Sequence, residues 1–155
     1  MKIRFISIES SRPDWAKKAF STYESKFNKS INIDWLGLKP VSRIGNYNAL
    51  DVVEKESNLL QSKVKKNEFV IALDKEGMSL STETLRFQFD NWISSSKDIS
   101  IIIGGPDGLS QKLIKQCDFC WSLSKLTFPH SIVPVIVLEQ IYRVWSMTQN
   151  HPYHK

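Results

Sequence analysis

Two short apolar runs, Phe69-Val70-Ile71-Ala72-Leu73-Asp74 and Ile99-Ser100-Ile101-Ile102-Ile103, constrain the fold of this chain more than any other feature. Each has the length of a strand, and neither shows the apolar–polar alternation of a strand with one wet face. Each therefore reads as a strand buried on both sides, which requires parallel neighbours and helices above and below. The rest of the chain alternates accordingly. Residues 2–8 read as a first strand, and Asp14 opens a helix to about Asn28 that places Ala16, Phe20, Tyr23 and Phe27 on one face. Ile31, Ile33 and Trp35 alternate as a strand, and the Pro40- and Gly45-bearing segment 39–48 reads as a loop. A charged helix over 49–65 follows. After the first apolar run, Ser81 caps a helix lined by Leu85, Phe89 and Trp92. A short helix over 110–117 and a strand over 119–123 follow the second run. The expectation is an α/β fold, a mainly parallel sheet with helices on both faces, formed by residues 1–155 as one domain.

The last helix, over 132–148, is apolar nearly all round, with Ile132, Val133, Val135, Ile136, Val137 and Leu138 in succession, then Ile141, Val144 and Trp145. Such a helix must be buried on more than one side, and a subunit interface supplies a second side. No run approaches the ~20 apolar residues of a membrane span. Met1–Ile8 alternates as a strand does and lacks the long apolar region of a secretion signal. With only 2 cysteines a disulfide framework is not expected, and a reducing cytoplasm is. The net charge of +5 suits a polyanionic partner without requiring one.

Ligands of open parallel sheets bind beyond the carboxyl ends of the strands. Three such ends stand out: Leu73-Asp74, Gly104-Gly105-Pro106-Asp107-Gly108, and the segment from Ser122 to Thr127. The glycines permit positive φ and close backbone approach to a ligand, or simply a tight loop before a helix. They match neither the phosphate-binding nor the dinucleotide glycine pattern. Glu139 and Arg143 are spaced to pair across one helical turn, and on so apolar a helix the pair is expected to be partly buried. The terminal Asn150-His151-Pro152-Tyr153-His154-Lys155 is either a solvated tail or a reach toward an anionic or aromatic substrate. His130, after Pro129, reads as satisfying backbone groups. Cys117-x-x-Cys120 with His151-x-x-His154 imitates a zinc set. But the cysteine pair enters an apolar strand and the histidine spacing is short, so two small core residues is the preferred reading and no metal is expected.

Taken in order, Leu73-Asp74, Ile103–Gly108, Trp121–His130, Glu139-Gln140-Ile141-Tyr142-Arg143 and Asn150–Lys155 resemble the SPOUT superfamily of methyltransferases, and within it the ribosomal RNA large subunit methyltransferase H family. The resemblance implies a deep C-terminal trefoil knot, S-adenosylmethionine as cofactor, and methylation of nitrogen 3 of a pseudouridine in 23S rRNA, within the assembled ribosome. It places the cofactor against Leu73, Gly104, Gly105 and the loop Leu123, Ser124, Lys125, Leu126, Thr127 and Phe128. For methyl transfer to an imide nitrogen, the expected catalytic residues are Arg143 for the developing charge, His154 for the proton and Tyr153 for holding the nucleotide. The implied partners are 23S rRNA and a second copy of the chain in a homodimer, with neither DNA nor a membrane. Two alternatives stay open: a knotted methyltransferase of transfer RNA, and a noncatalytic RNA-binding assembly factor.

Overall fold

A computed structural model describes residues 1–149 and 151–154, with the side chain of His154 outside the description. In chain order the elements are β1 (Lys2–Ile8), α1 (Asp14–Glu24), β2 (Asn32–Leu38), α2 (Ala49–Gln61), β3 (Phe69–Ser79), α3 (Thr82–Ser94), β4 (Ile99–Ile103), α4 (Gln111–Gln116), β5 (Phe119–Ser122) and α5 (Val133–Thr148), then a 3-10 turn over Pro152–His154. The strands form one parallel sheet in the order β2-β1-β4-β3-β5. Phe5 sits opposite Trp35 and Ile101, Ile101 opposite Ile71, and Ile71 opposite Phe119, so one apolar row crosses the whole sheet.

Alternate residues of the buried strands supply two cores. Ile3, Phe5, Ile71, Ile99 and Ile101 meet α1, α3 and α5 through Phe20, Phe89, Trp92 and Leu138. Ile6, Ile8, Ala72 and Ile102 meet Leu60 of α2 and Leu113 of α4. Each buried isoleucine, leucine or phenylalanine among them contributes about 1.5–3 kcal/mol of transfer free energy. Trp92 centres an aromatic group with Phe69, Phe89, Phe119 and Trp121. Its buried indole N–H has no hydrogen-bond partner among the described residues.

Several boundaries differ from the sequence reading. Helix α1 is capped by Pro13 with no side-chain bond, because Asp14 already lies inside the first turn, and it stops at Glu24 rather than Asn28. Helix α2 ends at Gln61 rather than 65, and Arg4 takes up the carbonyl of Lys63 in the turn beyond. Strand β3 runs past Asp74 to Ser79 through a bulge, resuming with Met78 opposite Trp121. Gly77 makes this possible, since a Cβ there would lie 2.8 Å from the Cys120 and Trp121 backbone. The Asp74 carboxylate accepts from the Glu76 N–H at 3.0 Å and closes the bulge.

Helix α5 is more fully covered from within the chain than its composition suggests. Its second apolar side is in good part covered from within the chain: Trp145 and Tyr142 pack on Phe27 at 5.1 and 5.4 Å, and Tyr142 on Tyr153 at 4.8 Å. Packing against α1 and the tail therefore meets much of a demand that sequence alone assigned to a second subunit. Val133, Val135, Ile136 and Met147 remain half-buried.

One topological feature positions ligands. From β1 the chain leaves through α1 toward β2, whereas from β4 it leaves through α4 toward β5 on the opposite side. Neighbouring strands whose connections diverge leave a crevice between their carboxyl ends.

Candidate functional site

Two clefts open at the carboxyl ends of the strands. The first, of about 450 Å³, lies over β3, β4 and β5. Leu73, Ile103, Trp121, Leu123 and Phe128 give it apolar walls, and the Gly104–Gly108 turn forms one side. Asp74, Glu76 and Asp107 bring carboxylates to it, with Lys75 beside them. Of the residues that the sequence assigns to the cofactor, Leu73, Gly104, Gly105, Leu123 and Ser124 line this cleft, as do Leu126, Thr127 and Phe128. Lys125 is exposed and lies outside the lining.

Of the two readings the sequence left open for these glycines, the tight turn before a helix is the one seen here. Gly104 and Gly105 have ordinary backbone angles, and only Gly108 of this turn takes a positive φ, of 82°. A Cβ on Gly104 would stand 2.6 Å from Gly108 carbonyl atoms, and one on Gly105 would stand 2.5 Å from the Glu56 carboxylate. Both glycines are required by the packing of the turn on its own chain.

That carboxylate belongs to a network with no sequence signal. Glu56 is fully buried and accepts from Arg43 Nη1 at 2.8 Å, Arg43 Nη2 at 2.9 Å and the Val41 N–H at 2.9 Å. Arg43 Nε also donates to Asp107 at 2.9 Å. The guanidinium is held protonated well above its ordinary range, chiefly by the Glu56 bond and then by Asp107, against the cost of burial. The network ties segment 39–48 to the glycine turn.

The second cleft, of about 620 Å³, lies beyond the ends of β1 and β2. Its wall runs from Ile8 to Pro13 on one side and from Pro40 to Ile44 on the other, and it shares Pro106 and His130 with the first. His130, read from sequence as a loop residue satisfying its backbone, stands at the junction of both.

Arg143 and Tyr153 line neither cleft. At 1.5 Å per residue, Arg143 lies about 15 Å along α5 from Val133, which borders the first cleft. Arg143 Nη2 donates to Glu139 at 2.6 Å in a partly buried pair, as the spacing predicted. The Tyr153 phenol donates to the same carboxylate at 3.1 Å, with the Tyr23 hydroxyl at 3.4 Å. Lys26 Nζ stands 5.2 Å and the Arg143 guanidinium 5.2 Å from the Tyr153 ring centre. Burial first, then the Tyr23 bond and the Glu139 charge, raise this phenol above the ordinary tyrosine range, so it stays protonated at neutral pH. The side chain of His154, and Lys155, lie outside the described residues. Among the described residues, then, Arg143 and Tyr153 are not brought to the first cleft within one chain.

Burial pushes the Cys117 thiol up to about 12 and raises Cys120 as well, the state of inert core cysteines. No helix among the described residues is long and apolar enough to cross a membrane.

A family model described as "Predicted SPOUT methyltransferase" matches residues 1–154. A Ribosomal RNA large subunit methyltransferase H from Legionella pneumophila (strain Paris) is 39% identical over 100% of this chain and 99% of its own length. A protein of the same name from Hydrogenovibrio crunogenus is 37% identical over the same shares. Among solved structures, the SpoU methyltransferase AviRb from Streptomyces viridochromogenes, in complex with AdoMet, gives a TM-score of 0.46 at 11% identity. That match covers 92% of this chain and 57% of the other.

Proposed function

Because the chain belongs to the SPOUT methyltransferase family, whose α/β fold is closed by a C-terminal trefoil knot and which uses S-adenosylmethionine, we propose that it methylates nitrogen 3 of a pseudouridine in 23S rRNA within the assembled ribosome. The whole of residues 1–155 serves as one methyltransferase domain, working in the cytoplasm, where its substrate is. The observation that carries this reading is the first cleft, where residues separated by up to 60 positions, from Leu73 to Val133, converge at three strand ends.

The chemistry of that cleft fits the cofactor. Apolar walls at Leu73, Leu123 and Phe128 suit an adenine ring, and the carboxylates of Asp74 and Glu76 suit a ligand carrying positive charge on sulfur and on its amino group. When bound, the cofactor supplies an electrophilic methyl group. What remains for the protein is to orient the base, to remove the imide proton and to stabilise the charge left on the ring. The Arg143 guanidinium donates to a carbonyl of the base, where negative charge develops. Tyr153, kept protonated by burial, Tyr23 and Glu139, positions the base and does not take its proton. His154 is assigned the proton, since imidazole titrates near neutral pH.

Since the described Arg143 and Tyr153 lie apart from the first cleft in one chain, the reading takes the protein as a homodimer in which the tail of one copy completes the cleft of the other. Helix α5, with Val135, Ile136 and Met147 still half-buried, is the face on which the copies meet. A truncation lacking residues 151–155 retains S-adenosylmethionine binding by calorimetry and loses methyl transfer to ribosomes; full turnover by the truncation contradicts the assignment. Arg143→Ala lowers the methylation rate with the fold intact, and an unchanged rate removes Arg143 from the site.

A further inference from the structure

We propose that the second cleft, beyond the ends of β1 and β2, receives an unpaired nucleotide of the RNA substrate, with its base seated among prolines and read by serine hydroxyls. The inference rests on the RNA-methyltransferase reading and adds a binding site to it.

Position is the first argument. The cleft lies beyond the carboxyl ends of β1 and β2, with Pro106 of the turn after β4 at its edge, and ligands of open parallel sheets bind beyond such strand ends. The first cleft lies over β3, β4 and β5 instead, so the two sites are separate but continuous. Pro106 and His130 line both, so a ligand in one touches the same two residues as a ligand in the other. A strand delivering a base toward the first cleft passes over this one.

Chemistry of the lining is the second argument. Pro13, Pro40 and Pro106 offer flat apolar surface to the face of a ring. Ser10, Ser11, Ser42 and Ser131 offer hydroxyls that both donate and accept, matching the mixed edge of a nucleobase. Phosphate is a poor match. The Arg43 guanidinium at this wall is committed to Glu56, Asp107 and the Val41 carbonyl, and Glu9 adds a carboxylate. The pocket therefore favours an uncharged, planar, polar ring over an anion.

The wall is also built in advance. Arg43 and the buried Glu56 fix the Pro40–Ile44 segment against the glycine turn, while Arg12 stacks 3.5 Å over Trp35 and bonds Glu9, bracing the opposite side. On this braced rim Ile44 is 92% exposed and Tyr47 43% exposed. A large apolar side chain so exposed beside a braced pocket is placed to meet a base.

Ser11→Trp and Ser42→Trp, each at an exposed lining position, test the cleft without touching the core. In both, the KM for ribosomes rises roughly tenfold or more, as losing one stacked base implies. S-adenosylmethionine affinity by calorimetry and the melting temperature stay at the wild-type values. As a second measurement, rRNA carrying 4-thiouridine at and beside the target, irradiated with wild-type protein, crosslinks to peptides containing Ser10–Pro13 or Pro40–Ile44. An unchanged KM in both variants, or crosslinks confined to other segments, overturns the second site while leaving the methyltransferase reading in place. Wild-type protein that binds cofactor but methylates no rRNA overturns that reading and this one together.

Discussion

Two buried ion networks sit on the same face of the sheet, one at each end of the strands. At the amino ends, Arg4 of β1 donates to Glu68 at 3.0 Å, and Glu68 also accepts from Ser100 of β4 at 2.7 Å and from the Lys65 N–H at 2.8 Å. At the carboxyl ends, Arg43 joins Glu56 to Asp107. The chemistry is alike: one guanidinium, a carboxylate almost without solvent contact, and further bonds that satisfy its remaining lone pairs. The neighbours differ. The amino-end network ties β1, β4 and the approach to β3 and lines neither of these two clefts, whereas the carboxyl-end network holds walls of both. The same device thus fastens the scaffold at one end and shapes the ligand sites at the other.

Removing Arg4 gives the largest expected effect. Arg4→Ala strands Glu68 in the core and costs about 3–5 kcal/mol in denaturant unfolding, while the folded fraction keeps wild-type specific activity. A loss of specific activity in that fraction would erase the distinction between the two ends. Arg43→Ala costs less stability, since its guanidinium borders open clefts, but it raises the KM for ribosomes and the Kd for S-adenosylmethionine together by releasing the turn and segment 39–48. Unchanged constants would show that the network does not shape the clefts.

Acid sharpens the comparison further. Burial alone would raise the Glu68 carboxyl, but the bonds from Ser100, the Lys65 N–H and Arg4 hold it below its ordinary 4.5. Its contribution is therefore fully present above that ordinary value and is lost as pH falls through the lower folded one. Wild-type stability should drop below about pH 4.5, and Glu68→Gln, less stable at neutral pH, should show a shallower drop. The smallest effect is expected of Lys112→Ala, whose 3.9 Å pair with Glu54 lies at the surface and contributes under about 1 kcal/mol.

What the sequence showed and hid follows from the same contrast. The run Ile99–Ile103 became β4 with the expected ends, because burial on both faces leaves a strand no other composition. Three of the strand ends that line the clefts were legible from glycine, proline and the edges of apolar runs. The Arg43–Glu56–Asp107 network was not, since its members are scattered over distant segments and each looks like an ordinary surface charge. The bulge in β3 was hidden for a related reason: Asp74-Lys75-Glu76-Gly77 is composed like a loop, and only the approach of the Cys120 backbone to Gly77 shows why it continues the strand. The tail was legible as chemistry, but its docking on Glu139, Tyr23 and Tyr142 required the packing of α5 against α1.

The central claim is that a ligand cleft at the ends of β3, β4 and β5 serves methyl transfer to one position of ribosomal RNA. Its most direct test is to incubate the purified protein and isotopically labelled S-adenosylmethionine with ribosomes from cells lacking the protein, then map the label in 23S rRNA by mass spectrometry. One labelled methyl group per ribosome is expected, on nitrogen 3 of a single pseudouridine. Cofactor bound with no label in 23S rRNA, or label confined to transfer RNA, would contradict it.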